Sequence, residues 1–437
     1  MATTLHPLRE LPPTSQFKKG DVLVLFGELF SRGYANGIVD EAHRAGMTIV
    51  RSTVGRRDDE GKLRPLTAEE SANIPQPFIN IPLEAGFDLE PSDDGITPVE
   101  QVAGIKLSAW EDARIDFKKL EQSRARGVQR FKANTQAWLK ELERHIPKGA
   151  NVIFAHLMAG GVPRAKIIMP VMNRVVKGTG DRHLPSEKFW NSDLGKFSAM
   201  SFEEVTANTL NVLIEESATL RSKIESDGGT ARYVAYGYHG TEVMIKGEYT
   251  WQSYAPYLQG WAKVKLEDYA EKAWKSGIKV TVYNCPEILT NSSSIFLGVE
   301  VPLYPFIQAL KREAPNVRSV QAAIEKCAGL LKPEFNFETL QTFTDQALTS
   351  PELRSVCHFD TWPGHNNKAQ MEKLIAASES IVDMHKDPKN LITFVLSEEI
   401  FRATGYVMFH DSWKLQKPVL WLGHDVLAKA LATGRTL

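Results

Sequence analysis

The sequence is poor in cysteine. Its three cysteines, Cys285, Cys327 and Cys357, form no Cys-x-x-Cys pair. An odd number at this spacing argues against a disulfide framework and against a cysteine-based zinc site. The pattern is typical of a reducing compartment, and we expect a cytoplasmic protein.

Long apolar runs and an excess of charge of one sign are also missing. No stretch of about 20 apolar residues occurs, so the sequence predicts no insertion into a membrane. Residues 1–20 are rich in proline and charge and do not fit a signal peptide. The formal net charge is only −1, so we expect no nucleic-acid partner.

The histidines are scattered and never show the His-Glu-x-x-His spacing of zinc enzymes, so we expect no metal site. Internal repeats and low-complexity tracts are lacking as well. The chain has 437 residues, of which 43% are hydrophobic and 24% are charged. This is the composition of a large globular domain.

What the sequence does contain is an alternation of apolar runs and amphipathic segments. An apolar run over 21–26 ends at Gly27, a helical pattern covers 33–45, and a second run covers 47–51. This order forms a βαβ unit. Further strands are expected at 76–82, 151–157, 231–238 and 279–284, and further helices at 112–144, 201–226 and 261–276. The alternation predicts an α/β fold, with a doubly wound parallel Rossmann-type sheet and helices on both faces.

Two long polar segments interrupt this alternation. Residues 53–71 and 168–200 carry charges, glycine and proline. We predict both as loops, and the second as a candidate lid. Ser201 and Glu204 then fit a capping box that would start the following helix.

The last hundred residues show helical stretches without a clear strand pattern. We predict that residues 331–437 form a helical C-terminal cap on a nucleotide-binding core of about 20–330. The whole chain, 1–437, is then a single large Rossmann-like domain.

The first βα turn contains Gly27, Ser31, Arg32 and Gly33. A dinucleotide site needs small residues here, because the backbone turns tightly and approaches a pyrophosphate at the helix N-terminus. We predict these four residues as cofactor contacts. A simple tight turn that packs the helix on the strand needs the same glycines.

Three arginines follow the second predicted strand: Arg51, Arg56 and Arg57. No acid stands at the strand end to bind the ribose hydroxyls of NAD. Guanidinium forks match phosphate oxygens, so Arg51, Arg56 and Arg57 are candidate ligands of a 2′-phosphate, which favours NADP over NAD. A solvated charged loop fits the same residues.

Two further segments follow predicted strands, at the edge where open α/β sheets bind ligands. Ala159 and Gly160 would let the nicotinamide ribose lie against the backbone. Thr290 would offer a hydroxyl to the nicotinamide carboxamide. Ordinary turns explain the small residues equally well.

A tyrosine–lysine pair carries the candidate chemistry. Tyr254 and Lys263 are separated by eight residues. The ordinary pKa of tyrosine is about 10. A nearby ammonium lowers the pKa of a phenol, which can then protonate a carbonyl or enolate oxygen. Tyr238 adds a second phenol at the end of a strand, and Tyr236 shares its side by alternation. Aromatic packing explains Tyr236 equally well.

Together these motifs resemble the FabV-type trans-2-enoyl-ACP/CoA reductases, large relatives of the short-chain dehydrogenases. The resemblance spans residues 233–332. It rests on four segments in one order: Tyr236-Gly-Tyr-His-Gly240, Tyr254-x8-Lys263 with Gly260, Ala262, Leu266 and Glu267, Ile288-Leu-Thr-Asn-Ser-Ser-Ser-Ile295, and Val301-Pro-Leu-Tyr304. The sequence departs from the family at Ser31, which replaces a glycine, and in extra residues on both sides of the pocket.

The resemblance implies an NAD(P)H-dependent reductase that acts on an α,β-unsaturated acyl thioester or a related carbonyl compound. Tyr254 would be the proton donor, with Tyr238 beside it, and Lys263 would orient the cofactor ribose. Two alternatives stay open: a ketone or alcohol dehydrogenase that uses the same residues, and a nucleotide-binding regulator without catalysis. The oligomeric state is not fixed by these patterns.

Overall fold

The structure, a computed structural model, describes residues 5–238, 240–253, 258, 260–290, 297–298, 300–359 and 364–433. Its strands are β1 Val22–Phe26, β2 Thr48–Thr53, β3 Arg56–Arg57, β4 Leu63–Arg64, β5 Phe78–Pro82, β6 Val152–His156, β7 Ala231–Gly237, β8 Gly240–Ile245, β9 Glu248–Ser253, β10 Val280–Asn284 and β11 Val419–Trp421. Seven of them form one sheet in the order β11-β10-β7-β6-β1-β2-β5. Every pair of neighbours in it is parallel.

The helices flank this sheet. They are α1 Ala35–Arg44, α2 Ala68–Ser71, α3 Pro98–Gln101, α4 Phe117–Leu142, α5 Ile168–Val176, α6 Ser186–Asn191, α7 Asp193–Phe202, α8 Thr209–Glu216, α9 Ala218–Ser226, α10 Gly260–Lys275, α11 Phe306–Glu313, α12 Arg318–Leu330, α13 Phe337–Leu348, α14 Pro351–Arg354, α15 Lys368–Asp383, α16 Ile392–Asp411 and α17 His424–Ala432. Short 3₁₀ turns and one π-helical turn, Glu203–Asn208, connect some of them.

The sheet is buried on both faces. Along β1, Leu23 and Leu25 belong to the core shared with α1 and α16. Val22, Val24 and Phe26 belong to the core shared with α4, α8 and α10. Successive side chains of a strand point to opposite faces, so a continuous apolar run serves both cores. The predicted doubly wound α/β fold is therefore confirmed.

The segment 168–200 is not the predicted loop. It holds α5, α6 and most of α7. Ile168, Val171, Met172 and Val175 are buried, at the spacing of one helix face. Pro170 lies in the first turn of α5, where a backbone N–H needs no partner inside the helix. The charges and the proline of residues 168–200 obscured an amphipathic helical pattern in the sequence.

The predicted capping box at Ser201 is also wrong. The helix begins at Asp193, where the Ser192 side chain accepts a hydrogen bond from the Gly195 N–H. Ser201 lies buried inside α7, and Glu204 pairs with Arg124 instead of capping. The expected single helix over 201–226 is divided, because α8 ends at Glu216 and α9 starts at Ala218.

The predicted loop over 53–71 also has structure of its own. Strands β3 and β4 pair antiparallel in it. Thr67 and Glu70 form a capping box at the start of α2.

The C-terminal region is more than a helical cap. Strand β11 pairs with β10 and forms one end of the seven-stranded sheet. Helix α16 packs directly on α1, where a Cβ on Gly405 would lie 1.9 Å from the Gly37 carbonyl carbon. Two helices approach this closely only where side chains are absent. The predicted core of 20–330 therefore leaves out elements that belong to the sheet.

Within the described residues, no helix combines the length and the apolar character that crossing a membrane requires.

Candidate active site

A cavity lies over the C-terminal ends of the central strands. β1, β6, β7 and β10 end at Phe26, His156, Gly237 and Asn284. We call it the central cavity. Its lining includes Glu28, Gly33, Tyr34, Ala159, Tyr236, Tyr238, Lys263 and Thr290. Open α/β sheets bind ligands at this edge, so predicted site residues from five separate segments meet where the fold places ligands.

The βα turn fits an anionic ligand. Gly27 has φ +124°, and a Cβ there would lie 3.1 Å from the Leu157 Cβ. A Cβ on Gly33 would meet nothing within 4 Å, so the backbone there is open to a bound group. Helix α1 follows directly, with no acidic residue in its first turn. Its N-terminal N–H groups and dipole favour a phosphate.

Ser31 and Arg32 differ in where they point. Arg32 lines the central cavity, and its guanidinium lies 4.7 Å from the centre of the Phe394 ring. Ser31 lines a second cavity instead, between α1 and α16, which it shares with Arg32 and Ser397. Ser31 as a cofactor contact stays a prediction.

The three predicted phosphate-binding arginines are already engaged. Arg51 is buried, and its guanidinium donates to the Ile49 carbonyl at 3.2 Å. Burial lowers the pKa of Arg51. Arg56 forms a fork with Glu28, at 2.9 Å and 3.0 Å. Arg57 pairs with Glu84 at 2.6 Å. A preference for NADP stays a prediction that this geometry does not favour, because the charges of Arg56 and Arg57 are balanced by carboxylates.

The segment that follows β6 contains two glycines with a positive φ, Gly160 and Gly161. Gly160 has φ +103°, and its carbonyl accepts a hydrogen bond from Thr206 at 3.1 Å. Gly161 has φ +98°, and a Cβ there would lie 2.7 Å from the Ser201 carbonyl oxygen. Gly161 packs against α7 and Gly160 against the π-helical turn that follows it, and Ala159 lines the central cavity.

Lys263 forms part of the wall of the central cavity. It lies in the first turn of α10 and is only 5% exposed. Its Nζ donates to the Tyr236 carbonyl at 2.7 Å. Burial lowers the pKa of Lys263 to about 8, and Cys285 opposes this change slightly. The amine is therefore charged at neutral pH and close to losing its proton.

Two uncharged side chains, His156 and Cys285, lie near this amine. Burial, followed by the charge of Lys263, lowers the pKa of His156 to about 3. The His156 Nε2 lies 2.8 Å from the Thr209 hydroxyl, which itself donates to the Val205 carbonyl. His156 therefore donates from Nε2 and stays uncharged. Burial also raises the pKa of the Cys285 thiol. The only cation among these side chains is Lys263.

Tyrosines line the cavity beside the lysine. Tyr238 follows β7 directly and is buried. Tyr34, at the start of α1, stacks on Tyr236 with ring centres 5.8 Å apart. The Tyr34 hydroxyl donates to the Pro286 carbonyl. Burial raises the pKa of Tyr236 well above its ordinary value, so this phenol stays protonated.

Sequence reasoning missed Tyr34 and Glu28. Tyr34 directly follows Gly33, and Glu28 directly follows Gly27. Their positions next to the turn glycines were the available signal.

Tyr254, the predicted proton donor, lies outside the described residues, as do residues 291–296 of the segment after Thr290. Lys263, Tyr238 and Thr290 are brought together as predicted. Among the described residues no group of histidine, cysteine, aspartate and glutamate could hold a metal ion.

Comparison with known proteins gives a consistent result. The family model described as enoyl-acyl carrier protein reductase FabMG matches residues 4–431. An apo structure of FabMG, described as a novel type of enoyl-acyl carrier protein reductase, is 48% identical, with a TM-score of 0.95 and full coverage of both chains. An NADH-bound structure of FabMG is 41% identical, with a TM-score of 0.77, and covers 99% of this chain and 100% of its own. No protein of curated function matches significantly.

Proposed function

The chain belongs to the FabMG family of enoyl-acyl carrier protein reductases and is an NAD(P)H-dependent oxidoreductase, and we propose that it reduces the 2,3 double bond of an enoyl thioester with Tyr254 as the proton donor. The observation that carries the proposal is the convergence on one cavity of Lys263, Tyr238 and the N-terminus of α1. The FabV-like spacing of Tyr254 and Lys263 supports the same assignment of roles.

The residues present fit a nicotinamide dinucleotide. The open backbone at Gly33 and the acid-free first turn of α1 suit the pyrophosphate. Ala159 and Thr290 line the same cavity and suit the nicotinamide end. Gly27 and Gly160 shape the turns on either side. When bound, the reduced nicotinamide supplies the hydride.

The chain's own residues then manage charge and protons. Hydride addition at the β-carbon moves the double-bond electrons towards the thioester oxygen, and a phenol donor at that oxygen stabilises the negative charge. We assign this role to Tyr254, with Tyr238 beside it. Lys263 stays charged at neutral pH. It would bind the ribose hydroxyls, and its positive charge would lower the pKa of the donor phenol.

Water exclusion is part of this assignment. The cavity lies against a mainly apolar cluster that includes Tyr238, Leu258 and Ala262. A dry environment strengthens the interaction of Lys263 with any developing charge. It also keeps competing proton sources away from the reacting oxygen.

The test is the reduction of crotonyl-CoA, followed by loss of nicotinamide absorbance. Tyr254→Phe should lower kcat by about 10²-fold or more, because a transition-state hydrogen bond is lost. Its Kd for NADH should stay unchanged. The matched control is Tyr249→Phe. Tyr249 lies on β9, outside the lining of the central cavity, and its hydroxyl donates to Glu313 of α11.

Three outcomes would contradict the proposal. If Tyr254→Phe keeps wild-type turnover, the proton donor is another group. If ketones are turned over while no enoyl thioester is, the protein is a ketone or alcohol dehydrogenase. If NADH binds but no substrate of either class reacts, the regulator interpretation is correct.

A further inference from the structure

An acidic side chain lies at the end of β2, although the sequence of that strand provides none. Thr53 ends β2 and is followed by Val54, Gly55 and Arg56. The acid comes from the first turn instead. Glu28, two residues after the end of β1, accepts hydrogen bonds from the Thr53 hydroxyl at 2.9 Å and from the Val54 N–H at 3.4 Å. Its carboxylate therefore occupies the place that a strand-end acid occupies in other Rossmann folds.

The Glu28 carboxylate is ionised and firmly held. Its side chain is 16% exposed. Burial acts to raise the pKa of Glu28, but hydrogen bonds from Arg56 and Thr53 outweigh this and leave the pKa below its ordinary value. Both Arg56 Nη atoms contact the carboxylate, one oxygen each. A fork of this kind fixes the orientation of both groups.

Glu28 also lies between two cavities. It lines the central cavity, and it lines a neighbouring one, the side cavity, together with Val54, Glu84, Ala159 and Arg164. Phe30 and Leu157 line both as well. A dinucleotide whose pyrophosphate meets the start of α1 extends from the turn in two directions. Its nicotinamide half would occupy the central cavity, and its adenosine half would extend past Glu28 towards the end of β2.

We infer that the Glu28 carboxylate accepts hydrogen bonds from the adenosine ribose hydroxyls and thereby selects NADH over NADPH. This inference rests on the proposed function. A carboxylate with two oxygens can accept from two neighbouring hydroxyls while keeping part of its fork with Arg56. A 2′-phosphate would bring a second anion against Glu28, and like charges at this distance repel.

The pairing of Arg56 with Glu28 also explains why we expect Arg56 not to bind a 2′-phosphate. Its guanidinium fork is satisfied by Glu28, and its charge is neutralised there. Accepting NADPH would require breaking this pair and leaving the carboxylate next to the phosphate. Removing the charge of Glu28 should therefore have two effects at once: it weakens the hold on the ribose, and it frees Arg56 for a phosphate.

The test measures the Kd of NADH and of NADPH by the fluorescence of the reduced nicotinamide, without any acyl substrate. The wild-type protein should bind NADH at least about 10-fold more tightly than NADPH. Glu28→Gln should raise the Kd for NADH about 10- to 100-fold and lower the Kd for NADPH, so that the preference for NADH falls or reverses. Arg56→Met should keep the preference for NADH, because the carboxylate remains.

Several results would overturn the inference. Wild-type protein that binds NADPH as tightly as NADH has no such selection. If Glu28→Gln changes both Kd values by one factor, Glu28 only supports the fold. If Arg56→Met raises the Kd for NADPH and leaves the Kd for NADH unchanged, Arg56 binds the 2′-phosphate. Failure of crotonyl-CoA reduction would instead refute the proposed reaction, and the two Kd values would still decide the role of Glu28.

Discussion

Replacing Lys263 by methionine should stabilise the fold while it abolishes activity. The amine is 5% exposed, and burial lowers its pKa from an ordinary 10.5 to about 8. A lowering of this size means that holding the charged form in the folded protein costs about 3 kcal/mol at neutral pH. Methionine has a similar length, fills the same volume and carries no charge.

Part of that gain is offset. The Lys263 Nζ donates to the Tyr236 carbonyl, and methionine leaves this carbonyl without its donor. The loss of one such bond costs about 1–2 kcal/mol. The net expectation is that Lys263→Met raises the free energy of unfolding by about 1–2 kcal/mol at pH 7.

The pH dependence gives the sharper test. The folded pKa of Lys263 lies below the unfolded one, so the unfolded chain binds more protons between about pH 8 and pH 10.5. The unfolding free energy of the wild-type protein therefore increases as pH rises through that window, because Lys263 loses its buried charge. Lys263→Met has no such increase, because methionine does not titrate. The advantage of Lys263→Met should shrink above pH 8 and reverse near pH 10.

Urea unfolding of both proteins at pH 7 and pH 10 measures this difference. The control is Lys265→Met, on the same helix, where the side chain is 53% exposed and its loss should change stability by less than about 0.5 kcal/mol at both pH values. The reasoning is refuted if Lys263→Met is less stable than wild type at pH 7. It is also refuted if the difference between the two proteins is the same at both pH values.

Further predictions concern the stability effects of Gly405, where α16 meets α1, and of Asp411, an acid whose pKa is raised by burial. Gly405→Ala should destabilise the fold by about 3 kcal/mol or more, because its Cβ would overlap the Gly37 backbone. Gly329→Ala, on an exposed face with no atom within 4 Å, should instead gain about 0.5 kcal/mol, and thermal unfolding compares the pair. Burial raises the pKa of Asp411 to about 6, so its ionisation opposes folding as pH rises from 4 to 6. Asp411→Asn can still accept a hydrogen bond from the Tyr283 hydroxyl. The difference in unfolding free energy between this variant and wild type should increase in favour of the variant from pH 4.5 to pH 7.5. A difference that is the same at both pH values would contradict this prediction.

The sheet was predictable because its strands are buried on both faces. The runs that became β1, β6 and β10 are largely apolar and buried along their whole length. A glycine turn followed by an amphipathic helix indicates the parallel crossover. Periodicity also predicted the first-turn position of Lys263 in α10. These features depend on local sequence, so they can be recognised without the tertiary structure.

The remaining features depend on contacts between distant segments. β11 is only three residues long and is a strand because β10 lies beside it. Glu28 acts at the end of a different strand from the one it follows, so no spacing rule along β2 could identify it. In 168–200, exposed charges on each helix masked a buried face that only the packing against the site reveals.

The contact between α1 and α16 has a consequence for synthesis on the ribosome. Residues 37 and 405 meet backbone to backbone, and β10 obtains its outer neighbour only from residues 419–421. At ordinary elongation rates, roughly 20 to 75 seconds separate the emergence of residue 37 from that of residue 405. Throughout this interval α1 lacks the helix that packs on it, and from the emergence of residue 284 the β10 edge also waits for its partner strand. The α1–α16 contact and the outer edge of the sheet can therefore form only when the last elements have left the ribosome.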